Sequence, residues 1–153
     1  MYNPRLVKNV VIPDVVTLEA AETIAANDFV TLLTDGEAEV TVAGEGIYGI
    51  ALEAATDGDN VRVVRAHPGM IVLMDNDNDT TTFSADHIGG RFDIDSGGTG
   101  AQLVDTNTVV QDGTDAGQLL CIAYNPKGYG FDSDTSIGLF EIAEIQGLTN
   151  ALS

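Results

Sequence analysis

The stretch Asp75-Asn76-Asp77-Asn78-Asp79, with Asp86 eleven residues beyond Asp75, is where residue type and spacing come nearest to implying chemistry in this chain. Ca²⁺ is held by hard oxygen ligands, and an EF-hand loop supplies them from positions 1, 3, 5 and 12 among others. In that register the ligands are Asp75, Asp77, Asp79 and Asp86. The fit is incomplete. Thr80 stands where the sharp turn wants glycine, position 12 is Asp rather than Glu, and the preceding Met70–Met74 run reads as a strand. A solvated acidic hairpin tip is the expected structure, with a weak Ca²⁺ site as the alternative and no other cofactor.

Catalysis finds little to work with. A base that titrates near neutral pH is usually His, and there are two: His67, before Pro68-Gly69, and His87, in a predicted loop before Ile88-Gly89-Gly90. Neither belongs to a Gly-x-Ser-x-Gly, His-Glu-x-x-His or Cys-x-x-Cys arrangement. Cys121, the single cysteine, sits in the apolar run Leu119-Leu120-Cys121-Ile122-Ala123 and reads as a buried structural thiol. Gly44-Glu45-Gly46 and Ser96-Gly97-Gly98-Thr99-Gly100 lack the lysine of a phosphate-binding loop and read as turns. Arg62 and Arg65, three apart on a predicted strand, point to opposite sides and are expected to pair with local acids. The expectation is a protein that is not an enzyme; a small β-barrel enzyme with a metal at Asp75–Asp79 and His87 is a distant alternative.

Charge narrows the partners. Six Lys and Arg against 24 Asp and Glu leave a net charge of −18. Such a surface repels phosphate backbones and anionic lipid, which disfavours nucleic acid and membranes as partners. No apolar run approaches the length of a membrane span, and no secretory leader is recognisable, so synthesis in a cytoplasm is expected.

The elements that must position these residues are short. Residues 1–13 stand apart as an extended N-terminal arm. They carry Arg5 and Lys8 but no acid, and Pro4 and Pro13 bracket them. Residues 14–153 read as a single β domain. Predicted strands are Val15–Glu19, Phe29–Thr34, Ala38–Val42, Ile47–Leu52, Asn60–Ala66, Met70–Met74, Arg91–Ile94, Gln102–Val104, Val109–Gln111 and Gln118–Tyr124. Asp35-Gly36, Asp57-Gly58-Asp59, Ser96-Gly97-Gly98 and Asp112-Gly113 supply turn chemistry between them. Strands at this spacing predict an all-β fold, a compact β-barrel or β-sandwich. Ile137–Leu152 is ambiguous: Ile137, Phe140, Ile145 and Leu148 are spaced for a helix capped by Ser136, while Phe140-Glu141-Ile142 alternates as a strand. A faint echo links Ile24–Val30 and Gly46–Leu52 to Ile88–Ile94 and Gly117–Tyr124, as two related β-units would.

Two phrases carry a family resemblance. Ala21-Glu22-Thr23-Ile24-Ala25-Ala26-Asn27-Asp28-Phe29-Val30-Thr31-Leu32 and Tyr48-Gly49-Ile50-Ala51-Leu52-Glu53-Ala54-Ala55-Thr56-Asp57-Gly58-Asp59-Asn60-Val61-Arg62-Val63 resemble the tailed-phage capsid decoration (cement, or head-stabilising) proteins. The resemblance implies a compact β-barrel or β-tulip-like fold, commonly a homotrimer, on the outer capsid surface of the virion, bound to the major capsid protein and bridging capsomers. Under that resemblance the arm, through Tyr2, Arg5, Leu6, Val7, Lys8, Val10, Val11 and Ile12, is the expected capsid or intersubunit contact. The competing expectation is a receptor- or glycan-binding fibre or tail-associated domain, with Tyr124-Asn125-Pro126-Lys127-Gly128-Tyr129-Gly130-Phe131 as its site.

Overall fold

Alternation of apolar and polar residues over runs of three to six dictates strands whose two faces differ, and those faces determine how the sheets close. The computed structural model describes residues 14–77, 82–95, 102–106, 117–124 and 136–147. In the first half, strands β1 (Val15–Glu19), β2 (Phe29–Leu32), β3 (Ala38–Val40), β4 (Gly49–Ala51) and β5 (Asn60–Arg65) form an antiparallel sheet in the order β1-β5-β4-β2-β3. Its edges meet. Ala20, directly after β1, forms a parallel bridge to Ala38 of β3, and the Ala21 N–H donates to the Ala38 carbonyl at 2.8 Å. The five strands therefore close into a small barrel, which leaves little free edge to template aggregation.

The second half repeats the plan. Strands β6 (Ile71–Asp75), β7 (Arg91–Phe92), β10 (Leu119–Tyr124) and β11 (Ile137–Ile142) run in the order β6-β11-β10-β7, while β8 (Ile94–Asp95) pairs with β9 (Leu103–Val104). β7 and β8 are one extended run interrupted at Asp93. Taken as one strand, they give β6-β11-β10-β7/β8-β9, which is the order of the first barrel. Closure is repeated as well: Asn76, directly after β6, forms a parallel bridge to Val104 of β9, and the Asp77 N–H donates to the Val104 carbonyl at 3.0 Å. In each barrel a carboxylate then takes the N–H two residues past the bridge. Glu22 accepts from Val40 and Asp77 from Thr106. The echo in the sequence thus corresponds to a duplicated topology.

The interiors differ. The first barrel is filled by small residues, among them Val30, Ala38, Ala51, Val61 and Val63. The second holds Phe83, Phe92 and Phe140 in edge-to-face contact, with centroids 5.4–6.2 Å apart. Register explains the room for Phe140. Leu18 faces Val61 in the first barrel, but Met74 faces Gly138 in the second. A Cβ on Gly138 would lie 2.8 Å from the Phe140 ring.

Phe29 and Ile47 turn away from the first interior and join the core of the second barrel. Ile47 forms a parallel bridge to Ile145, and its N–H donates to the Glu144 carbonyl at 2.8 Å. The approach is close enough that a Cβ on Gly46 would sit 2.9 Å from the Gln146 Cα. Three glutamine amides complete the junction. Gln102 bonds the N–H and carbonyl of Phe29 and the Thr41 carbonyl. Gln118, fully buried, donates to the carbonyls of Val42 and Glu45 and accepts the Ile94 N–H. Gln146 bonds both backbone groups of Leu32.

Several sequence expectations are refined. The ambiguous C-terminal segment is a strand over Ile137–Ile142, with Gly138, Phe140 and Ile142 buried on one face. Closed barrels, rather than an open sandwich, are what the edge bridges make. Arg91–Ile94 is divided at Asp93, and His87 ends a single 3-10 turn, Ala85–His87. The Val109–Gln111 strand lies outside the described residues, as does the arm.

Replacing Gln118 with Leu keeps its volume but strips partners from the buried Ile94 N–H and the part-buried carbonyls of Val42 and Glu45. A loss of about 3 kcal/mol is expected, given roughly 1 kcal/mol for each unpaired group. Urea unfolding should show a lower midpoint with unchanged slope.

Candidate functional site

A groove of about 1110 Å³ runs along the outside of the junction. The β2–β3 side of the first barrel and β6 and β9 of the second form its walls, because the same outward-facing positions that exclude Phe29 and Ile50 from the first interior leave them facing the second barrel. Its surface combines apolar Val42, Leu73 and Leu103 with acidic Glu22, Asp28 and Asp75. Val42 and Leu73 stay 44% and 37% exposed. Asp28 is held in place by its Oδ2, which accepts the Ala25 N–H at 2.8 Å across a turn in which Asn27 has φ of 73°. Burial pushes the Asp28 carboxyl above its ordinary value, the Ala25 hydrogen bond opposes this, and nearby Glu22 adds to the rise.

The outer ribbon of β6 and β11 continues from this groove. Ile71, Leu73 and Asp75 point outward from β6, paired with Glu141, Leu139 and Ile137 of β11. Ile71 is 53% exposed. The matching ribbon of the first barrel carries Val15, Thr17 and Glu19 opposite Val64, Arg62 and Asn60. One fold element, used twice, is thus largely polar in one copy and apolar in the other.

The residues expected to bind a cation are distributed as follows. Asp75 ends β6, and its Oδ1 accepts the neighbouring Asn76 N–H at 2.9 Å. Asp77 spends Oδ1 on the N–H and hydroxyl of Thr106, at 3.0 and 2.8 Å, which serves barrel closure. Asp86 lies in the 3-10 turn. Asp79 is outside the described residues. Among the described residues no group of three or more His, Cys, Asp or Glu side chains is placed to share a metal ion.

Other singled-out residues have structural surroundings. The Ser84 N–H donates to His87 Nδ1 at 3.0 Å, and the imidazole packs edge-on to Phe83. His67 Nδ1 lies 3.1 Å from the Pro68 carbonyl oxygen. Cys121 is buried, and burial pushes its thiol up to about 11. Arg62 pairs with Glu53 through Nε and Nη2 at 3.0 and 3.1 Å, as expected. Arg65 instead lies over the Tyr48 ring, 5.6 Å from its centroid. Tyr2, Arg5, Leu6, Val7, Lys8, Val10, Val11 and Ile12 lie outside the described residues. Tyr124 ends β10 and is 37% exposed, while 125–131 are outside.

Sequence reasoning missed the groove and the pair of half-buried Arg91 with buried Glu144 beside Gln118. Arg91 Nη2 lies 3.9 Å from Glu144 Oε1, and its Nε donates to the Gly117 carbonyl. Burial raises the Glu144 carboxyl above 4.5; Arg91 opposes the rise and Asp93 adds to it. Neither residue type nor spacing marks these groups in the sequence, since Arg91 and Glu144 come together only once β7 and β11 are both paired with β10.

No protein-family model matches the chain, and no curated protein matches it in sequence. Among the described residues no helix is long and apolar enough to cross a membrane.

Two measurements check this description. The native Cys121 thiol should react with Ellman's reagent at pH 8 at least about 100-fold more slowly than the unfolded chain, because burial limits both access and thiolate. Glu144 gives a pH dependence of known sign. Its folded value lies above the unfolded 4.5, so the folded state binds more protons in the window between the two. The contribution of Glu144 is complete below 4.5 and is lost as pH rises through the folded value. Urea midpoints across that range should fall less for Glu144→Gln than for the parent chain.

Proposed function

We propose that this chain is a non-enzymatic structural protein of a virion, which binds the outer surface of an assembled tailed-phage capsid and bridges its capsomers. The observation that carries the reading is the apolar outer ribbon of β6 and β11, where Ile71, Leu73 and Leu139 face outward on a chain of net charge −18. An exposed apolar strip on an otherwise strongly charged protein fits a protein–protein contact. At the same place in the first barrel Thr17 faces Arg62 and Glu19 faces Asn60, with Val15 and Val64 the one apolar pair, so the fold does not demand an apolar strip along the ribbon.

The phrases that resemble the cement proteins support the reading from a second direction. They supply β2, β4 and β5 of the first barrel together with the connections around them. A cement protein acts by mass action: it binds the assembled shell and not its separated parts, so binding stabilises the shell. Trimerisation would present three strips at once and raise the effective concentration of each after the first binds.

Light scattering coupled to size exclusion tests the assembly, with three times the 16.0 kDa chain mass expected. Co-sedimentation with purified empty phage shells tests the function. The parent chain should bind saturably, and Ile71→Glu, at an exposed position, should bind at least about tenfold more weakly while unfolding at the same urea concentration. Absence of saturable binding by the parent chain would sink the proposal.

A further inference from the structure

We propose that the groove between the two barrels is the docking site of the chain's own N-terminal segment, residues 1–13. The groove and the segment are complementary in both respects that matter. The groove offers Glu22, Asp28 and Asp75 beside apolar Val42, Leu73 and Leu103. The segment carries Arg5 and Lys8 without a single acid, beside apolar Leu6, Val7, Val10, Val11 and Ile12. The remainder of the chain has four basic residues against all 24 acids, and its other acid-free stretch with two basic residues, 60–74 with Arg62 and Arg65, is already built into β5 and β6. An acidic, apolar groove selects a basic, apolar strand by direct pairing and by exclusion of the acidic remainder.

Reach is satisfied. Val15, one residue after Asp14, faces Val64, and Val64 faces Ile50, which lines the groove. Two strand spacings, about 10 Å, separate the start of β1 from that wall. Thirteen extended residues span up to roughly 43 Å, enough to cross this distance and lie along the groove. Docking would cover Val42 and Leu73, whose exposure in a groove is otherwise unfavourable. It would also place cations beside Glu22 and Asp28, whose carboxylates lie near enough to repel each other. The inference concerns a contact of the chain with itself; Leu73 lies on both the groove and the outer ribbon, so a docked segment leaves Ile71 and Leu139 as the part of that ribbon open to a shell.

The test uses a fluorescent peptide with the sequence of residues 1–13 and four full-length chains: the parent, Arg5→Glu/Lys8→Glu, and two that add to the latter either Asp75→Lys or Leu73→Glu. Asp75 and Leu73 are exposed, so two independent groove variants guard against misfolding of either. In the parent chain the tethered segment competes at an effective concentration near 1 mM. The peptide should therefore bind the Arg5→Glu/Lys8→Glu chain with micromolar affinity and the parent about 100-fold more weakly. Each groove substitution should weaken binding to the Arg5→Glu/Lys8→Glu chain at least about tenfold. The proposal is overturned if the peptide binds none of the chains, binds the parent and the Arg5→Glu/Lys8→Glu chain equally, or ignores both groove substitutions. It is also overturned if competition in the parent fades on dilution, because the occupant would then be the segment of a second copy. Loss of shell binding alone would bear on the capsid proposal and leave these peptide affinities unchanged.

Discussion

Everything in this molecule depends on satisfying the backbone where two barrels meet. A strand or loop that leaves one sheet to face another carries N–H and carbonyl groups that water no longer reaches, and each such group left unpaired is costly. Here the solution is the side-chain amide. Glutamine offers a donor and an acceptor on a long, uncharged stem, so it can bond a neighbouring main chain without burying a charge. Gln102, Gln118 and Gln146 all come from the second half of the chain, and each reaches backbone groups of the first. With those groups paired, Phe29 and Ile47 can leave their own barrel and fill the core of the other. The groove outside the junction and the half-buried Arg91–Glu144 pair beside it are consequences of this arrangement.

The two barrels show how little of a topology is fixed by particular side chains. Strand order and edge closure are the same in both, yet one interior is mostly alanine and valine and the other is built around three phenylalanines, with Phe140 packed over Gly138. Total volume and patterning are preserved in a local sense: where β11 gives up a side chain at Gly138, Phe140 occupies the space. On the outside the copies are free to diverge further, and β6–β11 has become apolar where β1–β5 is mostly polar.

Much of the fold was readable from residue pattern because period-two alternation is a local signal. Val15–Glu19 was placed to the residue, and most other strands were found a little too long. Ile137–Leu152 looked helical for a physical reason: Ile145 is buried beyond the end of β11 by its bridge to Ile47, which adds an apolar residue out of strand phase. The glutamines gave no such signal, since their bonds to the first half span 61 to 114 residues of sequence. The groove was equally hidden, because its two walls come from different barrels. Asp77 illustrates the opposite error, in which an acidic run suggestive of cation binding contains a carboxylate engaged in closing the second barrel.

The strands of each barrel are consecutive in the chain, and this gives synthesis a direction. All five strands of the first barrel lie between Val15 and Arg65, so it can close on the ribosome before most of the second has been made. Until Gln118 and Gln146 emerge, the carbonyls of Val42, Glu45 and Leu32 can be satisfied only by water. The nascent first barrel is thus a closed but hydrated body, and completion of the chain is the step that dries its flank. The order of strands along the chain lets the first half gain its sheet contacts before the junction can form.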